Sequence, residues 1–182
     1  MKQIETERLI IREFELSDAE GLFELDSNPD VLKFIGIDVV KEIQESEDLI
    51  RVLQKQYAEN GIGRWAVIEK STGDFMGWSG LKLYRECINN QINIYELGYR
   101  FIPRFWGKGF ATESARAWVN YAFDELKIPK LFAVTDLEHH SSKNVLHKLG
   151  FKDIEVIKYN GEDVNWLEIK NESENICSKA SL

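Results

Sequence analysis

The stretch that most constrains the fold of this chain is Arg104-Phe105-Trp106-Gly107-Lys108-Gly109-Phe110-Ala111. It lies between a strand-like apolar run, Ile92–Ile102, and a long helical one, Phe110–Leu126, whose Ala111, Ala115, Trp118 and Ala122 share a face. Glycines let a backbone approach a ligand closely, and the first N–H groups of a helix have no internal acceptor. Strand, paired glycines and helix in succession therefore make either an anion cradle or an ordinary tight turn. Two well-known phosphate loops do not fit. Lys108 is followed by Gly109 and Phe110, so there is no GxxxxGK[ST]. Thr112 stands where a third dinucleotide-loop glycine would be.

The remainder reads as one alternating pattern. Arg8–Phe14 is a β-branched strand, and Ser17 and Asp18 open a helix to about Asp26. Val39 to Tyr57 carries apolar residues at helical spacing, with Glu42, Glu45, Glu47 and Asp48 largely between them. Arg64–Glu69, Phe75–Tyr84 and Ile92–Ile102 suggest an antiparallel meander. In the last of these the apolar parity changes from Ile92 and Ile94 to Leu97, Tyr99 and Phe101. Either a bulge lies near Glu96, or the strand is central and buried on both faces. Leu131–Asp136 is a further strand and Ser142–Leu149 a short helix closed by Gly150. Lys152–Tyr159 and Val164–Lys170, joined by Asn160-Gly161-Glu162, complete the order βααβββαβαββ. The expected fold is an α/β domain over residues 1–170. Its mixed, mostly antiparallel sheet has about seven strands and about four flanking helices. The polar segment 171–182 reads as a disordered tail.

Composition limits the function classes. With 43% hydrophobic residues among 182, the chain can bury a core without staples. The net charge of −8 argues against direct nucleic-acid binding, which needs a clustered basic footprint. Two cysteines, Cys87 and Cys177, are too few for a disulfide framework or a thiolate metal site. The first residues alternate charge with apolar groups and resemble no signal peptide, and no apolar run could span a membrane. A cytoplasmic location is expected.

Arg104-x-x-Gly107-x-Gly109 matches the (Q/R)xxGx(G/A) signature of the GNAT superfamily of acetyl-CoA-dependent N-acetyltransferases. Thr6-Glu7-Arg8-Leu9-Ile10-Ile11-Arg12, Gly77–Leu81, Glu96–Phe101 and Val145–Phe151 resemble the RimJ/RimL-like branch, which includes acetylases of ribosomal-protein N-termini. The matches run in order over roughly residues 6 to 151. The resemblance implies acetyl-CoA as cosubstrate, no metal, and direct transfer of acetyl to a primary amine. That amine would be a protein N-terminus, such as that of a ribosomal protein, or a small molecule. It also implies cofactor contacts from Phe101 and Ile102 to the pantetheine arm. The loop Arg104, Gly107, Lys108, Gly109, Phe110 and Ala111 would hold the pyrophosphate.

Acyl transfer needs a base for the amine and an acid for the leaving thiolate. Glu96 matches the branch's proposed base, and it sits mid-strand among apolar residues, where burial would tune a carboxylate toward proton abstraction near neutrality. The alternative is a structural carboxylate satisfied by backbone, or a solvent-facing one. The tyrosine used as acid in many members falls at Leu146, which cannot donate a proton. The branch instead offers a serine, here Ser142, which could equally just start its helix. His139 stands where the branch has an asparagine holding the cofactor arm, and imidazole could keep that role in altered form. Adjacent histidines rarely converge, so His139, His140 and His147 do not suggest a metal site. Acceptor specificity is expected from about Ser17–Tyr57 and the loop near Cys87–Gln91. The acidic residues at 42–48 would favour a cationic acceptor, or serve solubility alone. His139 and Leu146 also permit a second function, a non-catalytic acyl-CoA sensor or interaction module. Glu96 and Ser142 together point to the enzyme. A homodimer is compatible with the sequence.

Overall fold

The computed structural model of the protein describes residues 3–171. The expected tail therefore lies, beyond Asn171, outside the described residues, as does Cys177. Eight strands form one sheet: β1 (Gln3–Glu5), β2 (Leu9–Arg12), β3 (Arg64–Glu69), β4 (Phe75–Tyr84), β5 (Ile94–Phe101), β6 (Lys130–Asp136), β7 (Lys152–Tyr159) and β8 (Glu162–Lys170). Their order is β1-β2-β3-β4-β5-β6-β8-β7, and only β5 and β6 run parallel. Five α-helices accompany them: α1 (Ala19–Asp26), α2 (Pro29–Leu32), α3 (Ile43–Asn60), α4 (Phe110–Asn120) and α5 (His140–Leu149). The fold is the expected mixed α/β sheet, with one short strand and one short helix more than the pattern predicted. Both are too short to display a period: β1 has three residues and α2 has four.

The long acidic helix starts later than its apolar spacing suggested. A capping box between Glu42 and Glu45 fixes the first turn at Ile43, which leaves Val39 and Val40 outside. The buried stripe of α3 is Ser46, Ile50, Leu53 and Tyr57. The helix from Phe110 is α-helical to Asn120 and then widens into a π-helical turn, Tyr121–Glu125.

Two layers cover the sheet. Trp118 of α4 meets Trp65 of β3 edge-on, with ring centroids 4.9 Å apart, and both are fully buried. Strand alternation then places Trp65, Ser79, Leu81, Leu97, Tyr99 and Phe101 on the α4 side. Arg64, Trp78, Lys82, Glu96 and Arg100 take the opposite side, where Asp26 of α1 pairs with Arg100. The parity change in β5 has no bulge behind it. Its register with β4 is unbroken from Gly77↔Phe101 to Tyr84↔Ile94. Ile94 instead packs against a second small core of Tyr84, Phe132 and Trp166, so β5 buries apolar groups on both faces. Ile92 lies before the strand and is exposed.

Candidate active site

The sheet is interrupted at one place. β5 and β6 pair only at Tyr95↔Leu131 and Glu96↔Phe132, although both strands continue, to Phe101 and Asp136. Beyond Glu96 they part, and the opening widens toward the N-termini of α4 and α5. The N–H of Ile102 donates to Met76 of β4, at 2.9 Å. By alternation, the backbone groups of Leu97, Tyr99 and Phe101 face the opening instead. Those of Leu97 and Tyr99 were not singled out from the sequence, because the alternation needs the β4–β5 register to be known.

Gly107 and Gly109, with φ of +72° and +85°, carry the chain from Phe105 into α4. Gly109 caps the helix without a side-chain partner, so the N–H groups of its first turn are left for an external acceptor. The side chains around the loop mostly do structural work. Phe110 is buried against Phe105, and the half-exposed Trp106 donates its indole N–H to the Phe101 carbonyl at 2.6 Å. Arg104 turns to Glu24 of α1. Lys108 gives its carbonyl to Arg8, at 3.1 Å.

Arg8 explains the N-terminal motif. Glu113, in the first turn of α4, accepts the Thr6 hydroxyl at 2.5 Å and the Arg8 N–H at 3.0 Å. Its other oxygen takes the Arg8 guanidinium at 2.6 Å, and that guanidinium lies over the Phe110 ring at 4.2 Å. The strand-turn at residues 6–8 thus latches the start of α4 and the glycine loop. Burial pushes the Glu113 carboxyl up, but the Thr6 and Arg8 hydrogen bonds outweigh this and hold it below its ordinary range. A carboxyl that titrates lower folded than unfolded stabilises above its unfolded value and loses that contribution as pH falls through the folded one. Glu113→Gln should therefore lower stability by about 1–2 kcal/mol at neutral pH, allowing for its solvated rim. Urea melts of wild type and variant should converge below the ordinary carboxylate range.

Two polar groups flank the point where the strands part. On the α1 side, Glu96 accepts from the Tyr84 hydroxyl at 2.9 Å, and Tyr84 is in turn 2.8 Å from the Tyr159 hydroxyl. Burial raises both phenols above their ordinary values, with Glu96 adding to the effect, so they stay protonated donors. On the α4 side, Tyr99 lies 3.1 Å from both the Oγ and the carbonyl of Ser142, in the first turn of α5. Burial also holds the Tyr99 phenol neutral. Leu146 is buried one turn on. His139 stacks on Phe34 with centroids 4.5 Å apart, and burial lowers its pKa, so the ring favours its neutral form. The three histidines diverge: His147 bonds Asp153 at 3.0 Å, and His140 faces Glu138.

A splayed parallel pair, an uncapped glycine-led helix at its mouth and a carboxylate at its apex define an acyl-group transferase of the N-acetyltransferase kind. The chain belongs to the acetyltransferase (GNAT) domain family, whose model matches residues 8–152. It is 30% identical over 152 residues to the uncharacterized N-acetyltransferase p20 of Bacillus licheniformis, covering 84% of this chain and 83% of that one. The crystal structure of a GNAT-family acetyltransferase from Bacillus anthracis superposes with a TM-score of 0.78 at 27% identity, covering 94% and 99% of the two chains. RimL, the ribosomal L7/L12 alpha-N-protein acetyltransferase in complex with coenzyme A, reaches 0.78 at 17% identity, covering 94% and 99%, which is a likeness of fold.

Proposed function

We propose that this enzyme moves an acetyl group from acetyl-CoA directly to a primary amine, with Glu96 as base and Ser142 as acid. One observation carries the assignment. The two groups lie on opposite faces of β5, at and just beyond its last pairing with β6, so one opening separates proton acceptor from proton donor.

The residues present suit an acyl-CoA. The gap-facing backbone of Leu97, Tyr99 and Phe101 offers a strand edge to the amide-bearing arm. Space beside Gly107, where a Cβ would meet no other atom, leaves the free N–H groups of the loop open to phosphates. His139, held against Phe34, borders the arm from the α5 side. Acetyl-CoA supplies an activated acyl carbon. The protein's part is to hold that carbon beside the amine and to move two protons.

Glu96 takes the proton that makes the amine nucleophilic, through a water where the amine is out of reach. Tyr84, itself held by Tyr159, fixes the carboxylate's orientation. As the C–N bond forms and the C–S bond breaks, charge on the carbonyl oxygen is met by a gap-facing backbone N–H of β5. Ser142 gives its proton to the departing sulfur and recovers one from the newly acylated nitrogen, directly or through water. With Tyr99 donating to the Ser142 Oγ, 3.1 Å away, the hydroxyl is held in place and its own proton stays free for the sulfur. No covalent enzyme adduct is needed. The related acceptors are the N-terminal amines of proteins and small-molecule amines, with the N-terminal helices and the 85–93 loop as walls.

Ser142→Ala is expected to lower kcat about tenfold or more, with acetyl-CoA affinity kept. Full turnover in that variant would remove Ser142 from the mechanism. The reading itself is tested by acetyl-CoA-dependent thiol release across a panel of amines and N-terminal peptides. Tight binding of acetyl-CoA with no release for any amine would replace the enzyme by a sensor.

A further inference from the structure

We infer that the acceptor carries a carboxylate as well as the reacting amine, and that Arg64 binds this carboxylate while the amine lies at Glu96. The inference rests on the acetyl-transfer reading and gives it a substrate class: small amino acids rather than polyamines.

The argument is one of charge on the sheet face that bears Glu96. Side chains of β3, β4 and β5 bring Arg64, Lys82 and Arg100 to that face, beside a single carboxylate, Glu96. Arg100 is already matched by the buried Asp26, at 2.6 Å. Arg64 and Lys82 have no ion pair and no side-chain hydrogen bond among the described residues. Each rests on an aromatic ring instead, Arg64 over Trp78 at 4.6 Å and Lys82 over Tyr84 at 4.0 Å. A guanidinium resting on an indole keeps its N–H donors for bidentate recognition of a carboxylate. Burial lowers the Lys82 pKa and the nearby Arg64 lowers it further, against the opposing pull of Glu96 and Glu86. Asp26 thus answers Arg100, and Glu96 and Glu86 attract Lys82, which leaves Arg64 as the cation of this face to meet an incoming anion.

A polyamine would add like charges to this face, and like-charge juxtaposition costs several kcal/mol. The acidic helix does not compensate. Glu45 caps α3 through the N–H groups of Lys41 and Glu42, while Glu47 and Asp48 grip Arg51. The spacing also suits a small molecule. Arg64 pairs with Gly80 and Gly80 with Gly98, so Arg64 and Glu96 are two strands and two residues apart. That is roughly 11–12 Å between Cα atoms. The Trp78 ring, which carries Arg64 and also lies against Gly98, occupies the sheet surface between them, and one amino acid would span it.

The experiment compares matched acceptors that differ only in the carboxylate. Thiol release is measured with L-aspartate, L-glutamate, γ-aminobutyrate and further amino acids, with the carboxamide of each, and with spermidine. At least one acid should exceed its amide about tenfold in kcat/KM and exceed spermidine too. In Arg64→Gln that acid-over-amide ratio should fall toward one, through KM. Arg64→Lys should restore part of it, and Lys152→Gln, an equal loss of charge at an exposed position of β7, should leave it unchanged. Equal use of acid and amide, preference for spermidine, or an unchanged ratio in Arg64→Gln would each overturn the inference. If no amine releases thiol although acetyl-CoA binds, the acetyl-transfer reading fails separately. Calorimetry of the same acids and amides on the CoA-saturated protein then decides. Acid binding that weakens about tenfold in Arg64→Gln sustains the inference, and no preference for acid over amide overturns it.

Discussion

Glu96→Gln is expected to reduce kcat by about two to four orders of magnitude, while the affinity for acetyl-CoA stays within about twofold. Glutamine keeps the shape of the side chain, and its amide oxygen can still accept from Tyr84, now at 2.9 Å from the carboxylate. Only the ability to take a proton is removed. The glycine loop proposed to hold the pyrophosphate lies beyond Phe101, and the Arg8–Glu113 latch fixes it independently of Glu96. A merely structural carboxylate would give the opposite result: stability would fall and turnover per folded molecule would stay near wild type. The measurements are single-turnover acetyl transfer and equilibrium titration of acetyl-CoA on the same preparation. Turnover within about threefold of wild type would remove Glu96 as base, whatever happened to stability.

The parts of this site legible in the sequence are those set by local chemistry. Paired glycines between an apolar strand and an amphipathic helix announce the loop, because φ near +70° and +85° at 107 and 109 is a property of the residues themselves. Gly150 closing α5 and Asn160-Gly161 turning β7 into β8 are of the same kind. What needed the structure was pairing across distance. The parity change in β5 left bulge and two-sided burial equally open, because one strand's pattern does not say what covers its far face. Here Tyr84, Phe132 and Trp166 cover it, from three other strands. The Thr6–Arg8–Glu113 latch joins residues more than a hundred positions apart, so the motif at residues 6–12 was visible in the sequence but its partner on the helix was not. Arg64 was similarly silent: an arginine opening a strand says nothing until its neighbours Trp78 and Lys82 are known. The acidic run at 42–48 left a cationic acceptor and solubility both open for the converse reason. Its charges are prominent in sequence but largely spent on capping and on Arg51.

Gly77→Ala should be the most destabilising small substitution near the site, costing about 3 kcal/mol or more and leaving much of the protein insoluble. Two independent penalties meet there. A Cβ on Gly77 would lie 2.1 Å from the Arg100 carbonyl oxygen and 2.8 Å from the Phe101 Cα, both backbone atoms that cannot swing aside. The residue's φ of +145° is also one that side chains with a Cβ rarely adopt. Relief would require β4 and β5 to separate where Gly77 pairs with Phe101, at the strand end that presents its edge to the opening. Gly107→Ala is the contrast. Its φ of +72° costs about 1–2 kcal/mol of backbone strain, but the added methyl meets no protein atom. That variant should stay folded and lose acetyl-CoA affinity, because the space the methyl enters is the space the loop leaves beside its free N–H groups. Urea denaturation of the two variants, with acetyl-CoA titration of the folded one, separates a glycine needed by the sheet from one needed by the ligand. A Gly77→Ala protein within about 1 kcal/mol of wild type would show that β4 and β5 can part at no cost, and the fixed strand edge inferred for the opening would go with it.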